Sequence, residues 1–223
     1  MVLAKVSKPN LQLSVAGVIS YFHKMDFYKT IERPATAEFS DRGSKFLAYC
    51  FPITDVSNFK AHLQTLKKEH PKATHHCFAY RIGTDGNTFR VSDGGEPSGS
   101  AGRPILGQID SKSLTDTLVV VVRYFGGTML GIPGLIEAYK TASVMALQLT
   151  PTITKQIEIT YKLSFDYTQI NKVMTILKQY NCSVIDQQMQ LFCEIKIGVP
   201  KNRVTDILYK LKNIANLEMQ HLN

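Results

Sequence analysis

Segments of alternating apolar and polar residues, separated by helix-spaced segments, run along the chain from Ala35 onward. In a first group of elements, the pattern predicts strands over residues 35–40, 45–53, 75–82 and 88–91. Residues 118–124 are apolar at nearly consecutive positions, which predicts a central strand covered on both faces. Helices are expected from Asp55 with Thr54 as cap, from about residue 101, and over about 133–149.

A second group of elements follows residues 150–152, where we place a domain boundary. Residues 157–165 alternate with period two, and Asp166 with Gln169 is predicted to form a capping box for the next helix. Two further strands, a second amphipathic helix and a final strand at 217–221 complete the order βαββαβ. This is the order of the ferredoxin-like motif, in which two helices cover one sheet face and the other stays available to RNA or protein.

The predicted α+β domains therefore span residues 25–150 and 152–223. Residues 1–24 carry no element that pairs with the pattern downstream, so we expect a disordered, dispensable extension with a natural start at Met25. The longest aliphatic run, at 118–122, is too short to cross a bilayer. The 4 cysteines lack CxxC spacing and are expected to be free thiols in a reducing compartment, which predicts a cytoplasmic protein.

The net charge of +8 divides into similar totals for three segments of unequal length. Residues 1–24 carry +3, residues 25–150 carry +2 and residues 151–223 carry +3, without a conspicuous basic run. This distribution is compatible with RNA or ribosome contact, and equally with a scattered surface charge that only aids solubility.

Eleven of the 14 glycines lie between Gly83 and Gly134, clustered in two loops at residues 92–107 and 125–134. Glycine permits positive φ angles and close backbone approach, so these loops either form tight turns or bring main-chain amides to a ligand. Both loops lead into predicted helices, whose free amides and dipole are suited to an anion. The sequence contains no GxxxxGK[ST] pattern for nucleotide phosphates.

Four sequence strings are more specific than this glycine content. SDGGEPSGSAGRPILGQI at 92–109 and VVVVRYFGGTMLGIPGLIEAYK at 119–140 strongly resemble signatures of the YigZ/IMPACT family. THHCFAYRIG at 74–83 and GSKFLA at 43–48 are also similar to that family's signatures.

The resemblance implies a ribosomal protein S5 domain 2-like fold for the first domain. For the second it implies a ferredoxin-like fold similar to the end domain of elongation factor G. It also implies a role in translation, since eukaryotic members act in translational control under amino-acid starvation through protein partners, and bacterial members are expected to contact nucleic acid or the ribosome. The chain departs from the usual SDDGEP and GxKLGxGG at Gly94, Met129 and Pro133, and the absence of a lysine at 129 weakens any phosphate contact there.

Asp93 and Glu96 suit a carboxylate pair for acid–base chemistry or Mg²⁺, or a structural role with an Asx turn at Asp93 and amide capping by Glu96. The structural role is the interpretation that the Gly, Pro and Ser context favours. Arg103 and Arg123 suit either a phosphate ligand or an internal tie to those carboxylates. For the phosphate alternative, we predict that both arginines lie on one exposed patch with the amides of Gly126 and its neighbour Gly127.

Histidines and aromatic residues beside the loops have competing interpretations. His75 and His76 are adjacent on a predicted strand and therefore point to opposite faces, which argues against a zinc site. Tyr80, Tyr124 and Phe125 suit base stacking, but aromatic residues on strands more often belong to a core.

We expect a binding surface made of the glycine loops and the strand ends beside them, and we assign no catalytic residue, metal or cofactor. Its residues are Lys45, His76, Asp93, Glu96, Ser98, Gly99, Arg103, Arg123, Tyr124, Phe125, Gly126, Gly127 and Gly131. The favoured hypothesis is a non-enzymatic, translation-linked regulator that binds RNA or the ribosome through this surface. Two alternatives stay open: a regulator acting through protein contacts, and a hydrolase or transferase that uses the loop with Asp93 and Glu96.

Overall fold

The chain, described over residues 26–222 in a computed structural model, divides into two units. The first unit is Tyr28–Lys155, and the second begins at Gln156 and also contains Asp26 and Phe27. The predicted N-terminal extension, residues 1–24, lies outside the described residues.

The first unit is built on a five-stranded antiparallel sheet with order β2-β3-β6-β4-β5. The elements are β1 (Phe27–Ile31), β2 (Ala35–Asp41), β3 (Ser44–Pro52), α1 (Val56–Glu69), β4 (His75–Ile82), β5 (Thr88–Ser92), α2 (Gly102–Ser111), β6 (Thr117–Tyr124), α3 (Gly131–Gln148) and β7 (Thr152–Gln156). Strands β1 and β7 form a separate two-stranded sheet, which the sequence pattern did not predict.

Strand β6 lies at the centre of this sheet and is buried over all but its last residue. Because strand side chains alternate between faces, Leu118 and Val120 pack with residues of α1, while Val119 and Val121 pack with residues of α2 and α3. The prediction of a central strand covered on both faces is confirmed. The same alternation places Arg123, near the end of β6, on the face that α2 and α3 cover.

Helix α1 begins after Asp55, whose Oδ1 accepts a hydrogen bond from the amide of Asn58 at 2.8 Å. The prediction that Thr54 is the cap is wrong, because the residue directly before the helix directs its side chain at the third amide. The Thr54 hydroxyl instead donates to Asn58 Oδ1 at 3.0 Å. Among the helices of residues 26–222, none is long and apolar enough to cross a membrane.

The second unit has the element order βαββαβ, as the periodicity predicts. Its elements are β8 (Glu158–Asp166), α4 (Ile170–Gln179), β9 (Ser183–Met189), β10 (Phe192–Pro200), α5 (Val204–Lys212) and β11 (Glu218–His221). The sheet order is β11-β8-β10-β9, with antiparallel neighbours. Leu163, Phe165 and Ile195 form one buried face with Val173 of α4 and Ile207 of α5.

The start of α4 differs from its prediction. Asp166 is followed by the 3₁₀ turn Tyr167–Gln169 and makes no side-chain capping bond. Its carboxylate accepts a hydrogen bond from Asn216 Nδ2 at 3.2 Å. The predicted capping box of Asp166 and Gln169 is wrong, because the 3₁₀ turn moves the start of the α-helix to Ile170.

Candidate functional site

Two glycine-rich loops lie next to each other at one end of the first unit's sheet. We name them loop A, residues 93–101 between β5 and α2, and loop B, residues 125–130 between β6 and α3. Arg123 near the end of β6 contacts Glu96 of loop A, so strand β6 links the two loops. We call loops A and B, with the first turns of α2 and α3, the loop surface.

Loop A is held by the carboxylate of Asp93. Its Oδ1 accepts hydrogen bonds from the amides of Ala101 at 3.0 Å and Gly102 at 2.8 Å, and its Oδ2 accepts one from Gly99 at 2.9 Å. Burial alone raises the pKa of Asp93, but these hydrogen bonds and the charge of Arg103 outweigh it and bring the pKa below its usual value. The amides that the sequence offered to an external anion are therefore occupied by the chain's own carboxylate.

Close backbone packing explains a glycine of loop A. Gly94 has φ +55°, and a Cβ there would lie 2.4 Å from the carbonyl oxygen of His76. A side chain at position 94 is thus excluded by the neighbouring strand, whatever the loop binds.

A buried ion pair lies beneath loop A. Arg123 Nη1 donates to Glu96 Oε1 at 2.7 Å, Tyr139 donates its hydroxyl hydrogen to the same oxygen at 2.8 Å, and Arg123 Nη2 donates to Ser44 Oγ at 3.2 Å. The side chains of Arg123 and Glu96 are only 5% and 3% exposed. The prediction that Arg123 shares an exposed patch with Arg103 is therefore wrong, whereas its alternative role as a tie to a loop carboxylate is confirmed.

Position on β6 explains this burial. Arg123 lies two residues after Val121, on the face that α2 and α3 cover, and its guanidinium lies 5.3 Å from the ring centroid of Phe46 and 5.6 Å from that of Phe125. The amide capping predicted for Glu96 is made by Asp93 instead, while Glu96 makes the predicted alternative contact with an arginine.

Cys77 and Tyr139 extend the buried network, and the sequence analysis did not find either of them. The Cys77 thiol approaches the Tyr139 hydroxyl at 3.2 Å and the Asp93 carbonyl oxygen at 2.9 Å. Burial raises the pKa of Cys77 to about 12 and moves the pKa of Tyr139 well above its usual range. Neither group ionises near neutral pH. Both residues lie inside quoted family strings, which is the signal that could have pointed to them.

Loop B is held by packing of one glycine against another. A Cβ on Gly126 would lie 1.9 Å from the carbonyl carbon of Gly43, so no side chain fits at position 126. The Gly126 amide donates to Ser44 Oγ at 3.2 Å, and the Phe125 amide donates to Thr74 Oγ1 at 3.2 Å. These two amides are used inside the first unit.

The large exposed side chains of loop B and the first turn of α3 are apolar. Phe125 is 48% exposed, Met129 is 86% exposed and Ile132, in the first turn of α3, is 53% exposed. The predicted glycines at 127 and 131 have φ +88° and +69°, and Gly99 of loop A has φ +77°. The backbone of both loops therefore depends on residues that adopt the left-handed region readily.

Three of the predicted binding residues are exposed polar residues. Arg103 is exposed in the first turn of α2, near Asp93, and Ser98 is exposed in loop A. Lys45 is exposed on β3, and its Nζ lies 3.3 Å from Glu38 Oε1. An exposed pair of this kind contributes little to stability, so Lys45 is available to a partner.

The two remaining predicted residues, Tyr124 and His76, lie on the α1 side of the sheet. The hydroxyl of Tyr124 lies 2.9 Å from His70 Nδ1, and the hydroxyl of Tyr49 lies 2.7 Å from His70 Nε2. Burial lowers the pKa of His76, and the charge of Lys67 lowers it further.

His75 and His76 point to opposite faces, as predicted. His75 Nδ1 lies 3.0 Å from the carbonyl oxygen of Gly94, and its Nε2 lies 3.8 Å from Glu96 Oε1, on the side of α2 and α3. His76 packs on the side of α1. Within residues 26–222, no three His, Cys, Asp or Glu side chains are grouped so that they could hold a metal ion.

Fold and site together define a two-unit α+β protein whose first unit presents a glycine-rich loop surface held by an internal ion pair. Residues 42–147 match the Impact N-terminal domain family. The chain is 31% identical to the IMPACT family member YigZ of Escherichia coli, over 85% of this chain and 94% of that protein. It is 33% identical to an IMPACT family member of Haemophilus influenzae, over 72% of this chain and 79% of that protein. The chain belongs to the IMPACT family.

A solved structure matches the chain over most of its length. A crystal structure described as that of a hypothetical protein has a TM-score of 0.69 and 29% sequence identity, and the match covers 89% of this chain and 98% of that one. The two-domain translational regulator Yih1 has 29% sequence identity over 55% of this chain and 47% of its own, with a TM-score of 0.33 that is too low for a structural argument.

Proposed function

We propose that the chain is a non-enzymatic regulator linked to translation, which binds its partner through the loop surface of the first unit. Membership of the IMPACT family supports the link to translation, because the family resemblance implies translational control. The observation that supports the binding role is that some groups of the loops bind within the first unit while others face solvent. The carboxylates of Asp93 and Glu96 and the Nη atoms of Arg123 bind groups within the first unit, whereas Phe125, Met129 and Arg103 are exposed.

We also propose a ribosomal protein S5 domain 2-like fold for the first unit and a ferredoxin-like fold, similar to the end domain of elongation factor G, for the second. The second proposal is supported by the order β11-β8-β10-β9, in which the first and third strands of a βαββαβ unit lie at the centre. A cytoplasmic location is proposed with this assignment, since Cys50, Cys77, Cys182 and Cys193 are free thiols.

RNA or the ribosome is the proposed partner. Exposed Lys45 and Arg103 supply positive charge beside the loops, and the chain carries a net charge of +8. Among the predicted site residues, we assign direct contact to Lys45, Ser98, Arg103 and Phe125. We assign a positioning role to the buried and half-buried residues His76, Asp93, Glu96, Gly99, Arg123 and Tyr124, and to the exposed glycines Gly126, Gly127 and Gly131, which shape the backbone of loop B and the start of α3.

Acid–base chemistry by Asp93 and Glu96 is not favoured by their hydrogen bonds. Asp93 accepts hydrogen bonds from three backbone amides, and Glu96 accepts hydrogen bonds from Arg123 and Tyr139. A reacting group would have to displace these donors.

A regulator acting through protein contacts is the stronger alternative. The exposure of Met129 favours it, because an aliphatic side chain in solvent gains free energy from an apolar partner.

Co-sedimentation of the purified protein with ribosomes over a range of salt concentrations tests the proposed partner. The variant Lys45→Glu/Arg103→Glu should associate with ribosomes about tenfold more weakly. Its affinity should also depend less steeply on salt, because each lost phosphate contact removes about one unit from the slope of log affinity against log salt concentration. The matched control is Lys172→Glu/Lys210→Glu, which makes the same charge change on exposed helix positions of the second unit. Absence of co-sedimentation, or equal loss in both variants, would rule out this surface as the ribosome contact.

A further inference from the structure

Loop B and the start of α3 expose three large apolar side chains on a fixed backbone. Phe125, Met129 and Ile132 are 48%, 86% and 53% exposed. The stretch that contains them, residues 125–136, carries no charged residue. Exposed apolar side chains that cluster on a braced loop are a feature of docking surfaces, because their burial by a partner is favourable and needs little ordering of the backbone.

Three groups beside this patch that could hold a phosphate are already used within the first unit. The amides of Phe125 and Gly126 donate to Thr74 and Ser44, and the guanidinium of Arg123 is buried against Glu96. The large side chains that loop B and the start of α3 expose are those of Phe125, Met129 and Ile132. Protein side chains match them better than a sugar–phosphate backbone does.

Three basic residues lie on segments that adjoin the root of loop B, and Lys45 among them is on the α1 face of the sheet. Lys45 lies opposite Tyr124 in the register of β3 and β6, and Arg42 directly precedes Gly43, whose backbone touches Gly126. Lys72 is exposed two residues before Thr74, and it forms no ion pair with any residue from 26 to 222. The ion-pair partner of Lys45 is the exposed Glu38 at 3.3 Å, and that of Arg42 is the half-buried Asp41 at 3.9 Å.

We propose that loop B docks an acidic protein segment whose apolar side chains pack on Phe125, Met129 and Ile132. Carboxylates of the segment lie beside the basic residues Arg42, Lys45 and Lys72, which set its orientation, while the apolar contacts supply most of the affinity. This docking goes beyond the proposed RNA or ribosome contact, and it does not require Arg103.

Selection from a random-peptide display library tests the docking. Peptides are selected on the wild-type protein after depletion on the variant Met129→Ser/Ile132→Ser, which keeps the charge of the chain unchanged. The enriched peptides should combine apolar residues with Asp or Glu. By fluorescence anisotropy, an enriched peptide should bind the variant about tenfold more weakly, a loss of about 1.4 kcal/mol. The matched control, Leu149→Ser/Tyr209→Ser, removes two other exposed apolar side chains, 60% and 67% exposed, and should bind normally.

Several results would overturn the docking. One is a library that yields no enrichment or yields basic peptides, and another is unchanged affinity in Met129→Ser/Ile132→Ser with an unchanged melting temperature. If sedimentation shows a wild-type dimer that this variant dissociates, a second copy covers loop B instead. Loss of oligouridylate binding in this variant, with peptide binding retained, would assign loop B to RNA. Peptide binding without ribosome co-sedimentation would contradict only the proposed function.

Discussion

Arg123 Nη1 donates a hydrogen bond to Glu96 Oε1 at 2.7 Å, and the two side chains are 5% and 3% exposed. This pair joins the central strand β6 to loop A, and the hydroxyl of Tyr139 adds α3 through the same carboxylate oxygen. Three separate elements thus meet at one buried charge pair. The pair sets the geometry of the loop surface without being exposed on it.

Glu96→Gln is expected to lower the free energy of unfolding by about 3 kcal/mol, because it leaves the buried charge of Arg123 without its counterion. Urea denaturation followed by circular dichroism measures the change. The matched control is Glu38→Gln, which removes the carboxylate of the exposed pair with Lys45 and should cost less than about 1 kcal/mol. Equal stability of Glu96→Gln and the parent protein would mean that the ion pair does not hold loop A.

Local periodicity was sufficient for most elements of the fold. Strand β4 has the predicted bounds His75–Ile82, and β6 is covered on both faces as its apolar run indicated. The two-stranded sheet of β1 and β7 was missed because both strands are short and their pairing joins distant parts of the chain. Such pairing leaves no trace in a local pattern.

The candidate site was only partly predictable for a related reason. The sequence left two roles open for Arg123, a phosphate ligand or a tie to a loop carboxylate. The choice between them depended on whether helices cover the face of β6 on which Arg123 lies. Covering by Phe46 and Tyr139, which lie on β3 and α3, comes from tertiary packing rather than from local spacing. The proximity of Asp93 to the start of α2 was easier to predict from the sequence, because the Gly, Pro and Ser residues between them favour a turn.

Gly126→Ala is expected to destabilise the first unit by about 3 kcal/mol or more, because the new Cβ would lie 1.9 Å from the carbonyl carbon of Gly43. The matched control is Gly107→Ala inside α2, where a Cβ has no neighbour within 4 Å. That change should stabilise by about 0.5 kcal/mol or more, since alanine favours the helix. Thermal melts of the two variants should shift in opposite directions. A shift of the same sign and size would contradict the packing of loop B against Gly43.

Acid should weaken loop A through Asp93. The pKa of this carboxyl is lowered in the folded protein, so its contribution to stability is complete above the pKa of the unfolded chain and is lost as the pH falls through the folded value. Asp93→Asn removes this contribution and should cost about 1–2 kcal/mol near neutral pH, the usual worth of a helix cap. Melting temperatures of both proteins between about pH 7 and 3 should therefore converge in acid. A constant difference would show that the carboxylate charge is not what holds the amides.

Cys77 should be inert towards thiol reagents in the folded protein. Its side chain is fully buried, and burial raises its pKa to about 12, so almost no thiolate exists near neutral pH. Titration with a chromogenic disulfide reagent should leave Cys77 unmodified until urea unfolds the first unit, with peptide mass mapping to identify the modified residue. Cys50, fully buried with a pKa raised to about 11, provides a second site with the same expected behaviour. Rapid labelling of Cys77 in the native state would show that the network around Glu96 opens.

The fragment of residues 152–223 is expected to fold without the first unit. Every residue of its hydrophobic core lies between Tyr161 and Met219, and the sheet of β8 to β11 is complete within the fragment. A domain of about 70 residues is only marginally stable, so the fragment should show native-like circular dichroism and a cooperative melting transition at a low temperature.

In the fragment, Leu163→Ala removes a fully buried side chain at the centre of this core. It should lower the free energy of unfolding by about 2–5 kcal/mol and abolish the transition. The exposed change Tyr209→Ala on α5 should leave it nearly unchanged, since that side chain is 67% exposed. An unfolded spectrum for the wild-type fragment would mean that the second unit depends on contacts outside residues 152–223.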